Sequence, residues 1–569
     1  MKGKNFMITS NKLNLTSTPF NLNEEEIVSV HNIVADMSLD EKVKHLFAPI
    51  TFSTDPEFLK KWVQKYQPST VTFRPSAKAD LQNAYRILQE NSKIPLLLAG
   101  NLEDGGNGLA LEGTYYGKPM QIAATDNTSY SEALGEIAGA EAAVLGANWS
   151  FGPIVDIDLN WRNPITNLRT FGSDVERVKR MSLAYKKGFE KSGGILAAKH
   201  FPGDGTDERD QHLHVTFNHL TVDEWWETYG SVYQELIEDG IQSIMVGHIA
   251  FPAYSKKKGV HAKQIKPATL APELLQDLLR DELAFNGLIV TDATPMVGFA
   301  SAEARETALP KAIAAGCDMI LFNRNYDEDI LFMHQGIKDG LVSEERITEA
   351  VIRIIATKMT MGLFNKENIV PGPKALEEIG TVENKNKARD LAKESITLVR
   401  DRDTLLPLTK GKRIFVVPID LPKDSKTVQQ FISALKNQGA IIELQTSEKF
   451  DANWADKSLK ELKETYDYAI YISAKQPKSN QTQVRLNWLP FLALNTPWFL
   501  HEVPSLFISF GNPYHLIDIP YISTYINAYA DNQETIEETV EKLIGNDTFR
   551  GKSPIDPYCG NKEEIHLYD

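Results

Sequence analysis

Between residues 68 and 325 the chain repeats one pattern: a short apolar run, a polar residue where the run ends, then a longer amphipathic stretch. The runs are STVTFRP (69–75), IPLLLAG (94–100), FGPIVDID (151–158), GGILAAKHF (193–201), IQSIMVGHI (241–249), GLIVTDA (287–293) and CDMILFNR (317–324). They are apolar throughout and do not alternate with period two, the pattern of parallel strands covered on both faces. The stretches between them read as helices; AEARETALPKAIAAG (302–316), for example, closes on a glycine suited to a helix C-cap. Seven such units in about 250 residues predict an α/β fold, a (β/α)8 TIM-like barrel. An open doubly wound sheet is the competing topology.

The polar residues at the run ends are Asn101 and Glu103, Asp156 and Asp158, Lys199 and His200, His248, Asp292, and Asn323 with Arg324. One polar strand end is ordinary capping. In a barrel, however, the carboxyl ends of all strands face one mouth, so a succession of them predicts a site there.

From residue 365 the pattern changes. NKENIVPGPKALEEIG (365–380) is a connection punctuated by proline and glycine, and KNKARDLAKESITLVRD (385–401) reads as a helix running into a strand. Strands RIFVVPI (413–419), IIELQ (441–445), YAIYIS (468–473) and SLFISFG (505–511) follow, with helices TVQQFISALKNQG (427–439) and ETIEETVEKLIG (534–545). The expected division is a barrel over 1–365, a linker over 366–394 and a smaller three-layer α/β sandwich over 395–569.

The formal net charge of −15 argues against a nucleic-acid partner, which needs a basic face, and against a polybasic membrane anchor. No apolar run reaches the roughly 18–20 residues that would cross a bilayer, and the first twenty residues lack the apolar core of a secretory signal. Cys317 and Cys559 are the only cysteines, too few for a disulfide framework and in no CxxC pair. A cytoplasmic protein acting on a neutral or small substrate is the expectation.

The densest chemistry lies in KHFPGDGTDERDQHLH (199–214). Three readings compete. His212 and His214 form an HxH pair with His200, Asp204, Asp207 and Asp210 close by and His248 on a later strand, a set that could ligate a metal in a barrel hydrolase; no further histidine stands near a later strand end. PGDGTDER has the glycines of a phosphate cradle, but its acidic residues repel an anion and the GK[ST] of a P-loop is missing. The third reading is proton transfer. In an extended segment Asp210 and His212 point the same way, so the carboxylate can fix the imidazole tautomer. An imidazole with its ordinary pKa of about 6.5 is poised to donate and accept a proton near neutrality. Asp292, ending a strongly apolar run, is the natural partner, because a carboxylate persists there only if paired or reactive; N-capping of the next helix is the plainer alternative.

KHFPGDGTDERDQH resembles the K-H-[FI]-P-G-x-G-x4-D-x-H signature of family 3 glycoside hydrolases, in their β-N-acetylglucosaminidase branch. The resemblance extends in order along most of the chain: ADMSLDEKVKHLF (35–47), FGPIVDIDLNWRNPITNLRTFGSD (151–174), GLIVTDATPM (287–296) and ARDLAKESITLVRDRDTLLPL (388–408). It implies a retaining β-N-acetylhexosaminidase that releases terminal β-linked N-acetylglucosamine from oligosaccharides or glycoconjugates, such as muropeptide fragments or chitooligosaccharides. Asp292 would be the nucleophile and His212, oriented by Asp210, the acid/base in place of the usual second carboxylate. Lys199, His200 and Arg169 match sugar-binding positions. Asn101, Glu103 and His248 complete the expected substrate-binding set, with no metal and no organic cofactor.

Two departures stand out. NLEDGGNGLALEG (101–113) has Asn101 where the branch has an aspartate and lacks the arginine that follows, and TDATPM replaces the more usual opening after the nucleophile. Alternatives are a β-glucosidase or β-xylosidase of the same family, or an N-acetylglucosaminide phosphorylase. In other classes stand a metal-dependent barrel hydrolase and a non-catalytic sugar-binding protein.

Overall fold

The computed structural model describes residues 13–365, 369–445, 454, 456–489 and 495–565. Residues 1–12 of the first twenty considered above, and 366–368 of the 365–380 connection, lie outside the described residues. Two compact units result, one formed by residues 1–113, 135–156 and 185–379, the other by 114–134, 157–184 and 380–569.

In the first unit the strands are β1 (Phe47–Ala48), β2 (Ile50–Thr51), β3 (Thr70–Phe73), β4 (Leu97–Gly100), β5 (Trp149–Ser150), β6 (Ile195–Phe201), β7 (Thr216–Phe217), β8 (Ser243–Val246), β9 (Ile249–Ala250), β10 (Leu288–Thr291) and β11 (Ile320–Leu321). A parallel sheet runs β2-β3-β4-β5-β6-β8-β10. Its ends are joined through β11, which pairs with β1, while Met319 bridges to Val290. Pro49 separates β1 from β2, so the two are halves of one strand and the parallel ring closes as a barrel. The small β7–β9 ladder lies outside that ring. Leu97, Leu98, Leu196, Ile244, Val246, Leu288 and Val290 are buried, as the continuous apolar runs require.

Local chemistry sets several boundaries. Ser38 and Glu41 form a reciprocal capping box at the start of the helix Leu39–His45, immediately before β1. The FGPIVDID run differs from expectation. The ladder strand, Trp149–Ser150, lies just before the run, and within it only Ile154 bridges to Lys199, since Pro153 has no N–H to give a ladder. The strand at 47–51 carries no expectation from the sequence because it is short and split by proline.

The second unit holds β12 (Thr397–Asp401), β13 (Arg413–Pro418), β14 (Ile441–Leu444), β15 (Tyr468–Ser473), β16 (Ser505–Ser509) and β17 (Thr524–Asn527) in the order β12-β17-β16-β15-β13-β14. Only β12 runs antiparallel to its neighbour. Alternate residues feed two apolar layers: Ile414, Val416, Ile470 and Ile508 pack with Phe431, Leu435 and Val540, whereas Phe415, Val417, Tyr471 and Phe507 pack with Trp454, Leu462 and Phe499. The result is the three-layer sandwich. The unit also claims two stretches that the sequence assigns to the barrel. Met120 and Ala124 from 114–134 and Leu168 from 157–184 pack with Tyr514, Tyr529 and Ile555, and Gln121 donates to Thr535 Oγ1 at 3.0 Å. Part of the presumed linker is the helix Val382–Ser395. Among the described residues no helix is long and apolar enough to cross a membrane.

At the amino end of β11 the fully buried Asp318 accepts from Arg280 Nη2 at 2.8 Å, Arg346 Nη2 at 2.6 Å and the Ile289 N–H at 2.9 Å. Burial opposes ionisation of Asp318, but the arginines outweigh it and hold the carboxyl below its usual range. Asp318→Asn removes the charge and strands the guanidinium groups. We expect a loss of about 3–5 kcal/mol, read as a lower urea midpoint for the first unit; a wild-type midpoint would show that the network is not structural.

Candidate active site

The stretch 199–214 starts at the carboxyl end of β6. Lys199 Nζ lies 2.7 Å from Glu103 Oε1 and 3.1 Å from Asn101 Oδ1, so three of the expected sugar-binding residues, from the ends of β4 and β6, meet directly. Lys199 and Glu103 thereby compensate each other's charge. His200 is held from behind. Asp156 Oδ1 accepts the backbone N–H groups of His200 (3.1 Å) and Asp204 (2.8 Å), and Oδ2 lies 2.7 Å from His200 Nδ1. A carboxylate can only accept, so Nδ1 carries the proton, and Nε2 stands 3.8 Å from Asp292 Oδ2.

The next residues are scaffold. Gly203 has φ +118°, and a Cβ there would fall 2.1 Å from the Tyr229 ring, whose hydroxyl donates to Asp204 O at 2.7 Å. Asp207 accepts from Arg209 Nη2 at 2.6 Å and from the Phe217 N–H at 3.0 Å, tying the loop to β7. The glycines and one of the aspartates thus shape the loop. Among the described residues there is no group of three or more His, Cys, Asp or Glu side chains arranged to hold a metal ion.

Asp210 and His212 form a dyad, by a different geometry from the extended one expected. The Leu213 and His214 N–H groups both bond to Asp210 O, so the chain turns. Asp210 Oδ1 then accepts the His212 N–H at 2.8 Å and meets its Nδ1 at 2.6 Å. Asp210 is sealed, whereas the His212 side chain keeps 24% of its exposure. With Nδ1–H committed, Nε2 on the far side of the ring is the nitrogen able to exchange a proton with a substrate. His214, the other half of the HxH pair, is exposed.

Asp292 follows β10. Its N–H donates to Val246 O at 2.8 Å, and its Oδ1 accepts the Ala293 N–H at 2.7 Å. Burial alone would raise its pKa, but the imidazoles of His200, His248 and His212, with the Ala293 N–H, outweigh burial and hold the carboxyl below the ordinary aspartate range. That joint influence places the dyad and Asp292 in one electrostatic unit.

His248 has another task than the expected one. It is fully buried, Nδ1 is 3.1 Å from Thr269 Oγ1, and Nε2 is 3.0 Å from Ala293 O, a pure acceptor. Both nitrogens are engaged, and burial lowers the pKa of the ring. It therefore braces the peptide after Asp292 instead of offering a donor to a sugar. Thr294, one of the atypical residues of TDATPM, also anchors: its hydroxyl donates to Phe322 O at 2.6 Å and accepts from Arg305 Nη2 at 3.2 Å.

Arg169 and Asp158 belong to the second unit. Arg169 ends the turn Asn167–Arg169, with its Nη1 3.4 Å from Ile165 O. Asp158 is buried against Thr166 Oγ1 and the Tyr514 hydroxyl, each at 2.6 Å, and burial pushes its pKa up to about 6. Asp156 and Asp158, neighbours in sequence, thus serve different units. The sequence assigns no role to Thr269 or Gln211, which bear no charge and end no apolar run.

The description "Glycosyl hydrolase family 3 N terminal domain" fits residues 38–357. A Cellulomonas fimi "Beta-N-acetylglucosaminidase/beta-glucosidase" is 40% identical over 568 residues, covering 98% of this chain and all of that protein. A solved structure of a "Beta-glucoside phosphorylase BglX bound to 2FGlc" superposes with TM-score 0.92 at 41% identity, over 96% of this chain and 99% of its own. A family 3 β-N-acetylglucosaminidase from Paenibacillus sp. str. FPU-7 shares the fold at TM-score 0.77 and 23% identity, over 92% and 99%. The barrel with its Asp292 and Asp210–His212 mouth, the sandwich and these likenesses agree: the chain belongs to glycoside hydrolase family 3 and is a glycoside-processing enzyme.

Proposed function

We propose that the protein cleaves terminal β-linked N-acetylglucosaminides, and β-glucosides beside them, with retention of configuration. The observation that carries this is the pairing of an ionised, imidazole-flanked Asp292 with the outward His212 of a carboxylate–imidazole dyad. In the first displacement an Asp292 oxygen attacks the anomeric carbon as the bond to the leaving oxygen breaks, and His212 Nε2–H gives that oxygen its proton. The glycosyl group is then an ester of Asp292. In the second displacement neutral His212 takes a proton from the incoming acceptor, which attacks the anomeric carbon and restores the carboxylate. Lys199, Asn101 and Glu103 are assigned to the sugar hydroxyls, and His200 to the carboxylate and the ring substituent beside it. The neutral Asn101 next to Lys199 suits a site that accepts a 2-hydroxyl as well as a 2-acetamido group.

A second reading concerns the acceptor. An imidazole base does not repel an anion as a glutamate would, so inorganic phosphate can take the place of water. The 41% identity to a structure described as a β-glucoside phosphorylase supports this. ³¹P NMR of a reaction run in phosphate decides between them: a sugar 1-phosphate of retained β configuration marks phosphorolysis, and free sugar alone marks hydrolysis.

Asp292→Asn should cost about 10⁴-fold or more in turnover for every substrate. His212→Ala should cost about 10²–10⁴-fold in kcat/KM for alkyl or sugar leaving groups and far less for dinitrophenolate, which departs without a proton. Near-normal rates for either variant on a sugar leaving group would overturn its role. The lowered pKa of Asp292 also sets a sign: the nucleophile stays ionised as pH falls, so the acid limb of kcat/KM should lie below the ordinary aspartate range. An acid limb near pH 6 would contradict that.

A further inference from the structure

Between Asp210 and His212 sits Gln211, a neutral residue that is completely buried. Its Oε1 accepts the His248 backbone N–H at 2.8 Å, and its Nε2 is buried with no hydrogen-bond partner among the described residues. An unpaired amide costs free energy that an apolar residue of the same shape would avoid, so packing alone does not account for a glutamine here. The loop is gripped from a second direction as well. The Val297 N–H donates to His212 O at 2.9 Å. Next to it, Gly298 brings the chain so close that an added Cβ would lie 2.4 Å from Gln211 O, 2.7 Å from His214 O and 3.0 Å from His248 Cβ. Two of those atoms are backbone, so a methyl group there must displace the loop. Gly247 makes a similar approach, with an added Cβ 3.0 Å from Gln211 Oε1.

Followed along the bonds, these contacts form one circuit. His212 is fixed by Asp210, Gln211 hooks the His248 backbone, the His248 ring holds Ala293 O, and the Ala293 N–H holds the Asp292 carboxylate. We propose that Gln211 and Gly298 act as a clamp that sets the His212 imidazole at its working distance from Asp292. Gln211 is then a positioning residue, acting through His212 without touching substrate. This rests on the roles assigned to Asp292 and His212 under Proposed function. Misplacement of the proton donor by about 1 Å is enough to lose much of its contribution.

The test compares Gln211→Leu and Gly298→Ala with His212→Ala and wild type on aryl N-acetylglucosaminides of graded leaving-group pKa, with and without azide. Gln211→Leu keeps approximate shape and removes the hook, while Gly298→Ala disturbs the loop from outside it. Both should lose about 10–100-fold in kcat/KM, which reports the first displacement, for the poorest leaving group and little for dinitrophenolate, steepening the leaving-group dependence in the direction of His212→Ala. Azide, which attacks without a base, should restore their turnover of dinitrophenyl substrate wherever the second displacement limits it. Wild-type slopes in both variants, or an equal loss on every substrate, would overturn the clamp. If His212→Ala itself keeps the wild-type slope, the acid/base assignment fails, and that outcome is separate from failure of the clamp alone.

Discussion

A carboxylate almost sealed from water at the end of an apolar strand stays ionised only if its surroundings replace the lost hydration. At Asp292 the replacement comes from the Ala293 N–H and the imidazoles of His200, His248 and His212. Much of the first unit's mouth follows from that need. Asp156 fixes the tautomer and direction of His200 and Asp210 those of His212, while Ala293 O fixes the tautomer of His248 and Thr269 helps direct its ring. The rings of His200 and His212 are thus anchored through one nitrogen and that of His248 through both, and the charge balance around Asp292 is preorganised before any ligand arrives.

The glycine- and aspartate-rich stretch after β6 serves this arrangement in unequal parts. Lys199 and His200 face the site, Gly203 and Asp207 bend and tie down the loop, and Asp210 with His212 returns to the mouth. Density of charge in the sequence therefore mixes two causes. Asp210 aligns an imidazole, and Asp207 satisfies backbone N–H groups that a loop without regular structure leaves unpaired.

The architecture was legible where one element suffices to define it. Continuous apolar runs marked the barrel strands other than the Pro49-split first and Trp149–Ser150, which lies just before its run, and period-two alternation between two apolar layers follows directly from RIFVVPI and YAIYIS. What escaped depends on partners distant in the chain. Nothing near Gly203 announces the Tyr229 ring, and nothing in Asp158 announces Tyr514. The stretches 114–134 and 157–184 look like barrel connections until Met120, Ala124 and Leu168 find Tyr529 and Ile555. At the site, Asp292, His212, Asp210, Lys199 and Glu103 were visible as polar residues closing apolar runs or as a motif. The task of His248 was not, because a strand-end histidine reads the same whether its nitrogens face a ligand or the backbone. Asp210 and His212 do meet, but through a turn that the sequence did not show, since a two-residue spacing fits a tight turn as well as a strand.

The central claim, that Asp292 forms a bond to the sugar, is most directly tested by mass spectrometry of the intact protein and its peptides after reaction with a 2-deoxy-2-fluoro-β-glycosyl fluoride. The fluorine slows the second displacement so that the ester accumulates. The account predicts one glycosyl adduct per chain, on the peptide containing Asp292. An adduct on another carboxylate such as Asp156 or Glu103, or unlabelled protein that turns the reagent over with inversion, would contradict it.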